Sequence, residues 1–323
     1  MTREERKHAL RFFKKLFVLA FLLFLIDRGL GAAIRYAYEK HPTPDAKAFA
    51  HLVQTPSEDM YIFGSSRVVH GYVSNIFADS MGLSCFNAGR EQTNILYTDV
   101  VANAILRKHT PKLIIFDLNA KESVSHTTAN SKLILASLMM PYVESDTSFQ
   151  RIAETLFPKE MLIAKASVLQ EFNSQVLPLM LNFNKKTDNR ISQNGYIPVR
   201  GSNVTNVLPN INDFVETYDS VSKNYFEDFI KTVLDKNIKL YVVQSPYYVQ
   251  KFTTSPSLQQ FLPILKKYNV PFLDYSFDTA FVKKEYFYDN VHLNDSGAHA
   301  FSQKLASDIK KDIEKSEPSF FKN

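Results

Sequence analysis

Five short apolar runs, Tyr61–Phe63, Leu83–Phe86, Leu113–Phe116, Ile238–Val243 and Val270–Tyr275, recur along the chain. They do not alternate polar with apolar residues, which is the pattern of strands covered on both faces, and they are too short for helices. Between them lie stretches of helical spacing. Tyr97, Val101, Ala104 and Ile105 mark one face within Thr93–His109, which Pro111 ends. Phe226, Phe229, Ile230, Val233 and Leu234 mark a second face within Ser220–Lys236, and Leu258, Phe261, Leu262 and Leu265 a third. Ser74–Met81 reads as a short helix with Ser74 as N-cap and Gly82 past its end. A terminal helix, capped by Asp295, turns Ala298, Phe301, Leu305 and Ile309 inward. Strands alternating with helices predict an α/β fold, a doubly wound and mostly parallel five-stranded sheet, because crossover connections place helices on both faces.

The alternation is interrupted from about residue 123 to 219. Leu133–Met140 and Ile152–Leu181 are helical in pattern, and a polar section, Asn184–Asn212, suggests a loop or hairpin. This reads as a helical and loop insertion over the carboxyl edge of the sheet, a lid or partner surface. No internal repeat or low-complexity tract occurs.

The N-terminus has a different pattern. Leu16–Ile26 is unbroken apolar text that continues past Asp27 and Arg28 to Ile34. Residues 16–34 therefore reach the length needed to span a bilayer. Residues 1–15 carry Arg3, Arg6, Lys7, Arg11, Lys14 and Lys15 against Glu4 and Glu5. Positive charge on this side predicts a cytoplasmic tail, a signal anchor and an exported domain. The alternatives are a signal peptide cleaved near Gly31-Ala32-Ala33 and a buried soluble helix. Asp27 and Arg28 belong near the outer interface or against a partner helix. Residues 35–58, with Pro42, Pro44 and Pro56, read as a tether, 59–316 as the α/β domain and 317–323 as a tail.

The net charge of +5 changes meaning once it is located, since most of it lies in that tail. A near-neutral remainder argues against nucleic-acid binding, which requires a basic face on the folded domain. The single Cys85 permits no internal disulfide and reads as a core residue. The histidines show no metal-ligand spacing, so neither a metal nor a cofactor is expected.

Two stretches carry candidate chemistry. Tyr61-Ile62-Phe63-Gly64-Ser65-Ser66-Arg67 is a strand running into a tight turn with a serine at its exit, where open α/β sheets place ligands. Asp289-Asn290-Val291-His292 lets one turn of chain fold a carboxylate onto an imidazole nitrogen, leaving the other to face a hydroxyl. Arg67 and Arg90 follow the serine turn and the Asn87-Ala88-Gly89 stretch. They are expected either to clamp a carboxylate or phosphate or to pair with neighbours such as Glu91 or Glu122. His70 and His126 read either as residues near the pocket or, by preference, as surface histidines.

With these blocks the chain resembles the SGNH (GDSL-like) hydrolase superfamily from about Met60 to Ile313, with its flavodoxin-like fold. Gly64-Ser65-Ser66 matches the first block, Gly89 the glycine of the second, Asn119 the asparagine of the third, and Asp289 with His292 the fifth. Ser65, Asp117 and Ala120 depart from the pattern. The resemblance implies Ser66 as nucleophile, His292 as base, Asp289 as its orienter, and Gly89 and Asn119 as oxyanion donors with the Ser66 N–H. It is nearest the membrane-anchored branch that includes the D-alanine transfer protein and the alginate acetylation proteins. That implies an esterase or O-acyltransferase acting on O-acyl groups of an envelope glycan or glycolipid, with a multi-spanning membrane acyltransferase as partner. The alternative is a non-catalytic assembly or binding protein on the same fold.

Overall fold

The computed structural model describes residues 2–40, 43–118, 125–143, 147–172, 176–177, 180, 194–205, 220–249 and 256–321. In chain order the elements are α1 (Arg3–Lys40), α2 (Pro44–Gln54), β1 (Met60–Phe63), α3 (Ser66–Gly71), α4 (Ser74–Met81), β2 (Cys85–Asn87), α5 (Ile95–Leu106), β3 (Leu113–Asp117) and α6 (Ser125–Met139). There follow α7 (Thr147–Leu156), α8 (Pro158–Ala166), α9 (Val168–Glu171), α10 (Ser220–Asp235), β4 (Lys239–Gln244), α11 (Pro256–Lys267), β5 (Phe272–Asp274) and α12 (Asp295–Ser316). They form two compact units, one of residues 1–43 with 135–186 and one of residues 44–134 with 187–323.

The larger unit holds the sheet, ordered β2-β1-β3-β4-β5 with every neighbouring pair parallel. Its helices surround it, giving the doubly wound α/β architecture that the apolar runs predict. Alternate β1 residues explain why those runs lack polar positions. Met60 and Ile62 join a core with Phe301 and Leu305 of α12, whereas Phe63 meets Phe229 of α10 on the opposite face. The strand order reverses between β1 and β3, so their carboxyl ends flank the crevice where such sheets bind ligands.

Three expectations change. The residues read as a tether contain α2, with Phe49, Leu52 and Val53 buried in the larger unit against α5. Pro44 opens that helix instead of breaking the chain, since a first-turn proline gives up no intrahelical hydrogen bond. The N-cap of α12 is Asn294, whose Oδ1 accepts from the Gly297 N–H at 3.0 Å, and not Asp295, which accepts from the Tyr196 hydroxyl. At α4 the cap is Val73, and the Ser74 hydroxyl donates to Asn194 O at 2.8 Å.

The smaller unit is built on α1, a helix of 38 residues and about 57 Å. It is long and apolar enough to cross a membrane. Asp27 accepts from the Ser167 hydroxyl and from the N–H groups of Val168 (3.0 Å) and Leu169 (3.4 Å). Arg28 donates to Ala166 O at 3.2 Å, and Arg35 pairs with the buried Glu171 at 2.6 Å. These two charged positions, expected at the interface or against a partner helix, are thus met by the chain's own insertion. Gly31 permits the approach, because a Cβ there would fall 2.5 Å from Val168 Cγ1.

Candidate active site

The site is assembled at the carboxyl end of β1. Gly64 makes the turn at φ +152°, and a Cβ on it would meet Val68 Cγ2 at 2.5 Å, so this position requires glycine. The turn starts α3 at Ser66, leaving the preceding Ser65 buried. The Ser66 N–H lies at the first position of α3, one of the donors a helix leaves without an intrahelical acceptor.

The Ser66 hydroxyl donates to His292 Nε2 at 2.7 Å, joining residues 226 positions apart. His292 Nδ1 lies 2.8 Å from Asp289 Oδ2 and 3.0 Å from Oδ1. A carboxylate only accepts, so the ring proton sits on Nδ1 and Nε2 is left to accept from the serine. Asp289 Oδ1 also accepts from the N–H groups of Val291 and His292, both at 2.9 Å. Partial burial acts to raise the Asp289 carboxyl. The hydrogen bonds from His292 and Val291 and the electrostatic pull of the ring outweigh it and hold the group down at about 2. The arrangement can move a proton from a serine hydroxyl to an imidazole that a carboxylate orients.

The loop that carries His292 is held by a buried network. Arg67 Nη1 donates to Val291 O at 2.9 Å, Nη2 to Ser245 O and to the Ser245 hydroxyl, and Nε to Asp117 Oδ2 at 3.3 Å. Its guanidinium lies 3.7 Å from the Tyr247 ring centroid. Asp117, fully buried at the end of β3, also accepts from the Tyr72 hydroxyl and from the Ser245 N–H and hydroxyl. Of the two expectations for Arg67, the structure shows the one in which it is engaged within the chain, as a buried brace, with Asp117, Ser245 and Val291 as its partners. Arg90 is also engaged; it pairs with Asp45 of α2, while Glu91 pairs with His70 and Glu122 lies outside the described residues.

The Gly89 N–H, an expected oxyanion donor, already donates to Asn87 Oδ1 at 3.1 Å. Asn87 is fully buried and gives its amide to Val68 O at 2.7 Å and Tyr72 O at 2.9 Å, which fixes the second loop to α3. Asn119 and the side chain of His126 lie outside the described residues. His70 is not an isolated surface residue. Its ring sits 6.0 Å from that of His292 and nearly perpendicular to it, with Nδ1 2.8 Å from Ile197 O and Nε2 2.9 Å from Glu91 Oε1. Among the described residues no cluster of His, Cys, Asp and Glu could hold a metal.

Sequence reasoning missed the roles of Asp117, Asn87 and Ser245, and took the surface reading of His70 over the one near the pocket. A carboxylate closing the apolar run of β3 was the available signal for Asp117; the others act through contacts that no spacing encodes.

No protein-family model matches the sequence, and no curated protein matches it. Among solved structures, the crystal structure of an acetyl xylan esterase, AlAXEase, matches 77% of this chain and 99% of its own at 12% identity, with a TM-score of 0.37.

Proposed function

We infer that this protein is a membrane-anchored, SGNH-like serine esterase or O-acyltransferase acting on O-acyl groups of an envelope glycan or glycolipid. One observation carries the reading, the unbroken Ser66–His292–Asp289 hydrogen-bond relay at the sheet's switch point. Ser66 Oγ attacks an ester carbonyl while His292 Nε2 takes its proton, and Asp289 stabilises the imidazolium. The Ser66 N–H would receive the oxyanion, and Gly89 would have to exchange its Asn87 contact for that role. Collapse of the tetrahedral intermediate breaks the ester C–O bond, and His292 returns the proton to the departing alcohol. The acyl-serine then passes its acyl group to water, giving hydrolysis, or to a sugar hydroxyl, giving transfer. The basic N-terminal tail favours a cytoplasmic N-terminus and an exported catalytic domain. A multi-spanning acyl-donor protein would be the partner for transfer.

The test is turnover of p-nitrophenyl acetate by the full-length protein in detergent, since residues 27–38 are part of the smaller unit's packing. Ser66→Ala and His292→Ala should each lower turnover by about 100- to 10,000-fold. A phosphonate probe should label Ser66 and spare the buried Ser65. Unchanged turnover in both variants would reject the enzyme and leave a binding or assembly protein of the same fold.

A further inference from the structure

Large apolar side chains left exposed outside α1 are unevenly placed. Among the described residues they are Leu133 and Val221 in the larger unit and Leu162, Ile163, Leu177 and Met180 in the smaller. Leu162 and Met180 are 70% and 72% exposed. The smaller unit is not short of core, for it buries Phe149, Phe157, Met161 and Phe172. Leu162, Ile163, Leu177 and Met180 therefore face outward although the unit has an interior of its own.

The hydrogen bonds to α1 state where they face. The lipid-facing run Leu16–Ile26 is about 16 Å long, roughly half of a ~30 Å hydrocarbon core. The remaining length must come from a flank. The N-terminal flank carries Arg11, Lys14 and Lys15, which belong among headgroups. On the C-terminal flank, Asp27 is matched by Ser167, Val168 and Leu169, and Arg28 lies against Asp27 at 3.6 Å and donates to Ala166 O. Partners that satisfy Asp27 and Arg28 at that depth must lie at the same depth. Ala166 ends α8, and Leu162 precedes it by about 6 Å of helix. Leu162 is thus separated from that depth by no more than the thickness of the ~5–10 Å boundary layer where amphipathic helices rest.

Resting on the anchor reading, we propose that the insertion is a second membrane-binding element: α8 lies in the lipid interface beside α1, with Leu162, Ile163, Leu177 and Met180 in the acyl-chain boundary. The occupant is lipid rather than protein because residues 166–169, which follow directly from α8, bond to Asp27 and Arg28 of the spanning helix within one unit and so hold the end of α8 at their depth. Zwitterionic lipid suffices, since Lys159 stands beside Glu160 and Lys165 pairs with Glu154 at 3.4 Å.

The test uses the full chain in phosphatidylcholine vesicles, with Leu162→Cys and, separately, Ile163→Cys and Met180→Cys bearing an environment-sensitive fluorophore. The native Cys85 is buried and is replaced by serine as a precaution. Leu19→Cys in the spanning run is the reference. Lipid carrying a nitroxide near the headgroup end should quench the Leu162 and Met180 labels by about half, with iodide in the water having little effect. Iodide quenching without nitroxide quenching at all three positions, while Leu19 responds to lipid, overturns the proposal and leaves the anchor standing. Labels shielded from both quenchers assign the patch to a protein partner and also overturn it. None of these readouts uses catalysis, so they stand or fall apart from the esterase reading.

Discussion

Replacing Arg67 separates a brace from a substrate clamp. In Arg67→Met the side chain stays long and apolar but loses its contacts to Asp117, Ser245 and Val291. Asp117 keeps its neutral donors from Tyr72 and Ser245 but is left as a buried carboxylate with no countercharge. Breaking a buried pair this way costs about 3–5 kcal/mol. For a domain of this size that is a fall of about 6–20 °C in Tm. Because the chain has no tryptophan, far-UV circular dichroism is the suitable probe of unfolding in detergent. The double variant Arg67→Met with Asp117→Asn removes both charges and should recover more than half of the loss. Activity should fall in kcat as the Val291–His292 loop loosens. A Tm within ~2 °C of the parent, together with a change confined to KM, would refute the brace and restore the clamp.

Two titrations extend this. Burial, with Asp228 nearby, raises the Asp99 carboxyl to about 7, against the Asn103 hydrogen bond that lowers it. Its folded-state value exceeds the unfolded one near 3.8, so the folded state holds the proton more tightly and loses stability as pH rises from about 4 to 7. Asp99→Asn should therefore stabilise by about 2–4 kcal/mol at pH 8 and by little at pH 4; equal gains at both pH values would contradict this. Asp289 is shifted the other way, to about 2, and stays ionised throughout the range in which esters are assayed. Asp289→Asn should then lower kcat/KM by about 100- to 10,000-fold at every pH from 5 to 9, and a variant matching the parent below pH 6 would sink the orienting role.

The strands were legible because a parallel sheet buried on both faces imposes unbroken apolar text, as in Leu113–Phe116. The Asp289–His292 pair was legible for a different reason, since four consecutive residues contain its geometry. Long-range contacts were hidden. Nothing in the order of residues brings Asp45 of α2 to Arg90, or Arg67 to the carbonyl of Val291, and a charged residue beside a candidate nucleophile reads the same whether it faces solvent or braces a loop. Residues 44–54 were misread because three prolines within a short stretch outweighed an apolar face only one helix long.

The hydroxyl at Ser66 and its imidazole at His292 enter the world at very different times, being 226 residues apart. At ~5–20 residues per second of synthesis, the serine emerges roughly 10–50 s before the base that would activate it. During that interval the growing chain carries an ordinary alcohol, and the hydrogen bond between the two can form only once residue 292 has been made.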